Sequence, residues 1–225
     1  MTVLGDAAIA MWWNVAVSDR TEFHEWHSKE HLPERLTIEG FRRGSRWEAV
    51  DGRGGMFVTY ELENYETLTS PGYYARLNQP TPWSVKMMPL HRDMVRSQCR
   101  VLASAGAGIA SYMWTLCISP QPGREDDLAA YLAGRIRSLT EREGITSARL
   151  LKTETPDAAP TREQQIRGGD AVADWIVLVS GYDAPALETI AGSDFEGGHL
   201  KEAGADWIGQ GVIYRLVHAM TPLDI

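Results

Sequence analysis

Residues 38–41 read IEGF and residues 142–145 read REGI. Each follows a helical pattern and precedes a run of strand character, so Gly40 and Gly144 stand at corresponding breaks. Working outward from Gly40, residues 8–17 have strand character. Ile9, Met11, Trp13, Val15 and Val17 alternate with the more mixed Ala10, Trp12, Asn14 and Ala16. A helix is expected over residues 21–32, interrupted or ended by Pro33. Residues 41–50 and 56–62 read as strands joined by the turn DGRGG at 51–55. Asn64, Ser70-Pro71 and Thr81-Pro82 each start a helical stretch. Residues 95–102 close the unit as a strand. The order is βαββαβ.

The same order recurs beyond the small-residue run ASAGAGIAS at 103–111, the expected boundary. Residues 111–119, 145–153, 175–182 and 212–219 read as strands. A helix over 125–142 repeats apolar side chains about once per turn at Leu128, Leu132, Ile136 and Leu139. A second helix starts over 184–191. The pair YELENYETL (60–68) and VSGYDAPAL (179–187) falls at the matching strand-to-helix junction. A polar insertion near residues 157–171, containing TREQQIRGG, reads as a solvated loop. The expected units are residues 1–106 and 107–225.

A βαββαβ unit is ferredoxin-like: a four-stranded antiparallel sheet with both helices on one face. The other face would stay bare, at about 25 cal/mol per Å² of exposed apolar area. Two such units in tandem relieve this by packing their sheets together. The expected fold is therefore α+β, two ferredoxin-like repeats forming one intramolecular α/β barrel.

Composition narrows the partners. The chain has 225 residues, 44% of them hydrophobic, and eight tryptophans, enough for a large core with aromatic-lined pockets. A net charge of −8 disfavours a nucleic-acid partner. Two cysteines, Cys99 and Cys117, form no framework spacing and fit a reducing, cytoplasmic setting. The N-terminal apolar run lacks a preceding basic residue, unlike a secretory signal, and no run is long enough to span a membrane.

The chemistry concentrates in EFHEWHSKEHLPER, residues 22–35. At 100° per residue Phe23, Trp26, His27 and Glu30 share one face, with His31 at its edge. The aromatic residues make that face the inward one. Polar groups buried there need partners, at roughly 1–3 kcal/mol each if left unpaired. The cluster is thus either a site or a hydrogen-bonded knot fixing helix to sheet. Aligned on Gly144, the second repeat has Ala130, Tyr131, Gly134 and Arg135 where the first has Trp26, His27, Glu30 and His31. The helix can evidently be built without the acid–base residues, which favours an asymmetric protein with its site in the first half.

Other motifs carry less. His27-x-x-Glu30-His31 matches the inverted zinc-protease spacing, but the surrounding fold is wrong for that class and no second cluster completes a coordination sphere. Neither a metal nor haem is expected. His91, His199 and His218 are isolated and read as ordinary histidines. The glycine-rich segments lack the strand-to-helix context of a phosphate loop, and no nucleophile elbow is present.

The stretch Trp26-His27-x-x-Glu30-His31-Leu32-Pro33-Glu34-Arg35, then Gly40-Phe41, Arg46, Tyr60-Glu61-Leu62 and Asn78-x-Pro80-Thr81-x-Trp83, resembles the dimeric α/β-barrel superfamily in its two-repeat arrangement, nearest to EthD-like bacterial proteins. The resemblance implies the fold above. For activity it implies only a broad range: monooxygenases, cyclases, isomerases, lyases, haem proteins and members without known activity. The expected function is a cofactor-independent enzyme moving a proton next to a carbonyl or hydroxyl of a small apolar or aromatic compound. His31 would be the acid or base, with Glu30 orienting it or His27. Trp12, Trp26 and Tyr73 would form the apolar walls, and Tyr73, Tyr74 and Trp83 would line the pocket mouth. Asn14 would add a further substrate contact, and Arg46 would hold an anionic group or pair with Glu48 or Glu30. A non-catalytic small-molecule binder and an assembly domain are the alternatives, and a homo-oligomer is compatible with each.

Overall fold

A computed structural model describes residues 4–52 and 55–225. The first repeat contains β1 (Ala7–Asn14), a long helical rod, β2 (Phe41–Ala49), β3 (Gly55–Leu62), α3 (Pro71–Asn78), α4 (Pro82–Met87) and β4 (Arg92–Gly106). The rod consists of α1 (Arg20–Trp26), a π-helical turn (His27–His31) and α2 (Leu32–Leu36). The second repeat contains β5 (Tyr112–Pro120), α5 (Glu125–Leu139), β6 (Ile145–Thr153), α6 (Arg162–Arg167), β7 (Trp175–Gly181), α7 (Ala184–Ser193), α8 (Gly197–Glu202), β8 (Ala205–Ile208) and β9 (Val212–Met220). Of the expected DGRGG turn, residues 53 and 54 lie outside the described residues, as do residues 1–3 of the N-terminal run.

The strands close into a ring. The first repeat runs β4-β1-β3-β2 and the second β9-β5-β7-β6, the same internal order. Antiparallel β4–β6 and β2–β9 pairs join the two sheets at both edges. The result is a closed, eight-stranded antiparallel barrel, with short β8 paired outside the ring against β5. Closure removes the unpaired edges that two separate sheets would expose. The barrel also hides the faces that helices do not cover. Alternate residues of the ring strands, including Trp47, Phe57, Leu151, Ile176, Leu178 and Tyr214, pack inside it. Opposite faces of the same strands pack outward beneath the helices, around Trp26 in the first repeat and Leu132 in the second.

The two breaks that anchor the repeat share one conformation. Gly40 has φ +89° and Gly144 φ +85°. A Cβ at Gly40 would lie 2.3 Å from Thr67 Oγ1, and one at Gly144 2.7 Å from Ala186 Cβ. Both positions therefore require glycine for backbone and for space. Asn64, Ser70 and Thr81 cap their helices by accepting from the amides of Thr67, Tyr73 and Ser84.

Four local expectations are corrected. The first strand stops at Asn14, and Val17 starts a 3-10 turn. The run 103–106 is strand, not a break, because it pairs with residues 147–150 of β6 to close the barrel. The insertion is not a solvated loop: Thr161 and Gln164 form a capping box on α6, and Glu163 is 2% exposed. Pro33 does not end the first helix. The preceding turn widens, so that the Leu32 amide donates to the His27 carbonyl five residues back. Proline lacks an amide proton and its ring crowds the carbonyl four residues before it; the wide turn accommodates both and the helix continues.

Candidate functional site

The wide turn decides which side chains face the sheet. Bonding across five residues lowers the angular step from 100° to roughly 80°. Residues i and i+4 then lie closer to one direction, while i+3 swings away. His27 and His31 accordingly face the sheet together, their ring centroids 5.6 Å apart. Glu30 turns aside to α4, where it accepts from Thr81 Oγ1 at 2.5 Å and from Ser84 Oγ at 3.4 Å. Ser84 Oγ in turn accepts from Trp26 Nε1 at 3.2 Å, and Trp26 lies against the His31 ring at 4.5 Å.

His27 and His31 border a cavity of about 30 Å³ between the first sheet and its helices, room for roughly two waters. Its floor is apolar, from Ile9, Met11 and Trp13 of β1 with Phe41 and Met94. Tyr60, Tyr73, His91, Arg35 and Arg96 add polar atoms. Glu163 and Arg167 of α6 complete it, so the second repeat's insertion reaches across to the first repeat's site. Arg35 and Glu163 form a buried ion pair, and Arg167 binds Asp170 at 2.7 Å. On the corresponding face of the second repeat Leu128, Leu132, Ile136 and their neighbours form an apolar cluster. Among the described residues no three His, Cys, Asp or Glu side chains converge as metal ligands.

The imidazoles are held neutral. Burial, then the nearby Arg46 charge, pushes His27 well below the ordinary histidine range. Burial and Arg35 do the same for His31. His91 is lowered by burial to about 4, despite donating from Nδ1 to the Met88 carbonyl at 2.9 Å. That bond leaves its Nε2 as the lone-pair nitrogen. The Nδ1 atoms of His27 and His31, the Tyr60 hydroxyl and Trp13 Nε1 are buried without hydrogen-bond partners.

Of the residues singled out from sequence, His27, His31 and Tyr73 line this cavity. Trp26 stands behind His31, and Tyr74 lines an adjoining cavity. Trp12 lies on the opposite face of β1, stacked on Phe57 at 4.8 Å. Asn14 is exposed and donates to Asp93 at 3.2 Å. Arg46 donates to Ser28 Oγ at 2.9 Å and, more weakly, to the His24 carbonyl, tying β2 to the helical rod. Glu48 pairs with His24 at 3.3 Å. Trp83 packs at the margin of the first core. His91, Arg35, Arg96, Glu163 and Arg167 were not anticipated as site residues. No periodicity marks them, since four different elements bring them together.

The neutral histidines carry a pH signature. Their folded values lie below 6.5, the unfolded reference. Their contribution to stability is therefore complete above about pH 6.5 and is lost as pH falls toward the folded values. Each proton taken up on unfolding costs about 1.4 kcal/mol per pH unit within that window. Urea midpoints should fall steeply between about pH 6.5 and 5, and His27→Gln should give a shallower slope. A midpoint unchanged over that range would show that these imidazoles are not neutralised by folding.

No family model matches the chain, and no curated protein matches it. Solved structures do. An anthrone oxidase-like protein superposes with a TM-score of 0.66 at 13% identity, covering 96% of this chain and 93% of that one. A putative monooxygenase from Fusobacterium nucleatum subsp. nucleatum gives 0.63 at 6% identity, covering 96% and 95%. One from Lactobacillus acidophilus gives 0.61 at 7%, covering 96% and 97%. The chain thus has the ferredoxin-like barrel fold of monooxygenase-like proteins. At these identities the likeness defines the fold, and the activity must be argued from the site.

Proposed function

We propose that the protein is a cofactor-independent enzyme that moves a proton on a small apolar or aromatic compound bearing a carbonyl or hydroxyl. The observation that supports this reading most is the set of three neutral imidazoles bordering a cavity with an apolar floor, two of them with unpartnered ring nitrogens. A neutral imidazole can accept a proton from a carbon acid or hydroxyl. The burial and the Arg35 charge that hold His31 neutral also weaken it as a base, so the proposed proton transfer depends on donors that stabilise the resulting oxyanion. His31 is the proposed base, with His27 and His91 placed to relay or return the proton. Glu30 is a positioning residue, acting through Ser84 and Trp26 on the His31 ring. Tyr60 and Tyr73 are the proposed donors to the substrate oxygen. The stretch from Trp26 to Arg35 supports placing the chain near EthD-like proteins, and self-association remains compatible with this reading.

The cavity as it stands holds roughly two waters, so a ketone must widen it on entry. The test is deuterium incorporation from D₂O, followed by proton NMR, at the methylene of anthrone, conjugated through its rings to the carbonyl, and at the carbon next to the carbonyl of smaller aryl alkyl ketones. Anthrone is included because one similar fold belongs to an anthrone oxidase-like protein. Wild type should accelerate exchange, and His31→Gln should lower that rate about 100-fold with little change in melting temperature. Binding without exchange would assign the protein as a small-molecule binder. Loss of stability without any binding would make the histidines a structural knot.

A further inference from the structure

Three guanidinium groups line the histidine cavity, and their charges are handled differently. Arg35 is paired with Glu163. Arg167 is paired with Asp170. Arg96 is 8% exposed, yet its hydrogen bonds go to neutral groups, the Gln98 amide oxygen at 3.1 Å and the Tyr73 hydroxyl at 2.5 Å. Among the described residues no carboxylate stands within ion-pair distance of it. Buried charges are ordinarily paired, because desolvation penalises them heavily.

Arg96 also occupies a special place. A second cavity of about 100 Å³ adjoins the first beneath the segment 155–164. Tyr73, Leu77 and Arg96 line both cavities. The remaining wall of the second is largely small or neutral, including Pro156, Ala158, Ala159 and Gln164. Tyr73, Leu77 and Arg96 thus form the partition between the two cavities. Arg96 is set there by β4, its amide bonded to the Ala171 carbonyl at 2.8 Å, where the end of the insertion returns to the strand.

We infer that Arg96 is the anion-recognition residue of this site, and that the ligand is a small aromatic or apolar acid whose carboxylate docks on Arg96 in the partition between the two cavities. The inference rests on the proposed reading of the histidine cavity and names its substrate class. The carboxylate would supply the charge that the protein does not. Its apolar body would lie in the larger second cavity, along Tyr74, Leu77 and Pro156, and would reach His27 and His31 only as the smaller first cavity widens. Tyr73 then has two duties, holding the guanidinium in the free protein and releasing a donor direction when the carboxylate arrives.

The probes are benzoate and benzamide, equal in shape and different in charge, titrated calorimetrically into the wild-type protein. Benzoate should bind roughly 10- to 100-fold more tightly, the range of a charge-assisted hydrogen bond. Arg96→Gln should bring the two affinities within about twofold. A crystal of the wild-type protein with 4-bromobenzoate covers the case in which that variant does not fold: the carboxylate should lie within hydrogen-bond distance of Arg96. Equal wild-type affinities, no binding of either probe at millimolar concentration, a preference that survives Arg96→Gln, or a carboxylate located elsewhere would each overturn the inference. Benzoate preference without deuterium exchange on any ketone would remove the enzyme reading and leave this one standing. Exchange on neutral ketones without an anion preference would do the reverse.

Discussion

Replacing Glu61 with alanine should destabilise the protein by about 3–5 kcal/mol, the cost of breaking a buried ion pair from one side. Glu61 lies on β3, on the same face as Phe57, and so points into the barrel. Its carboxylate accepts from Arg43 of β2 at 2.7 and 2.9 Å and from Arg149 of β6 at 2.8 Å. It also accepts from the Leu4 amide at 3.2 Å. One side chain thereby links two strands of the first repeat to a strand of the second. Truncation would leave Arg149, 4% exposed, inside the barrel without that carboxylate. Burial pushes the Glu61 carboxyl upward, but Arg149 and Arg43 outweigh it and the net shift is downward. Its stabilisation is therefore complete above its unfolded value near 4.5 and is lost as pH falls through the folded value. Urea unfolding of wild type and Glu61→Ala at pH 7 checks the first statement. The difference between them should shrink in strong acid. A change below about 1 kcal/mol at pH 7, as for a surface pair, would show that the cluster is solvated.

Replacing Glu163 with alanine should cost about 3 kcal/mol and, more tellingly, should unfasten α6 from the site. Glu163 is the deepest residue of a six-residue helix too short to be stable by itself. It pairs with Arg35, which is itself 3% exposed and whose other carboxylate, Glu34, lies at 3.9 Å. Loss of Glu163 strands the guanidinium and removes one wall of the cavity. Limited proteolysis should then cut within residues 157–171 at conditions under which the wild type resists, and small-molecule binding at the histidines should weaken. Protection of that segment in the variant would mean that the capping box and the contacts of Arg167 hold α6 without the ion pair.

The site was partly legible in the sequence. His27 and His31 announced themselves because polar residues on an apolar helical face are costly, and their absence from the second repeat at Tyr131 and Arg135 marked them as dispensable for building the helix. Glu30 was misplaced for a specific reason. A 100° step puts it beside His27, whereas the wide turn at 27–31 rotates it toward Thr81 and Ser84. The proline that makes the wide turn favourable was visible, but its effect depends on whether a helix stops or accommodates it, and packing against the sheet decides that. Trp12 was assigned to the wrong side because a strand between two cores is apolar on both faces, so alternation could not tell which tryptophan met the helices.

The sequence by itself determined the repeat: strand and helix periods, the glycine at each helix-to-strand break, the caps at Asn64, Ser70 and Thr81, and hence two ferredoxin-like sheets that must cover one another. These are local properties, written in side-chain period and in the backbone freedom of single residues. Tertiary structure decided the closure through β4–β6 and β2–β9, the wide turn, and the crossing of α6 from the second repeat onto the first. It alone brought His91, Arg96 and Glu163 beside His31, residues 60 to 132 positions further along the chain. Such convergence leaves no period in a sequence, because it depends on which surfaces meet once the barrel has closed.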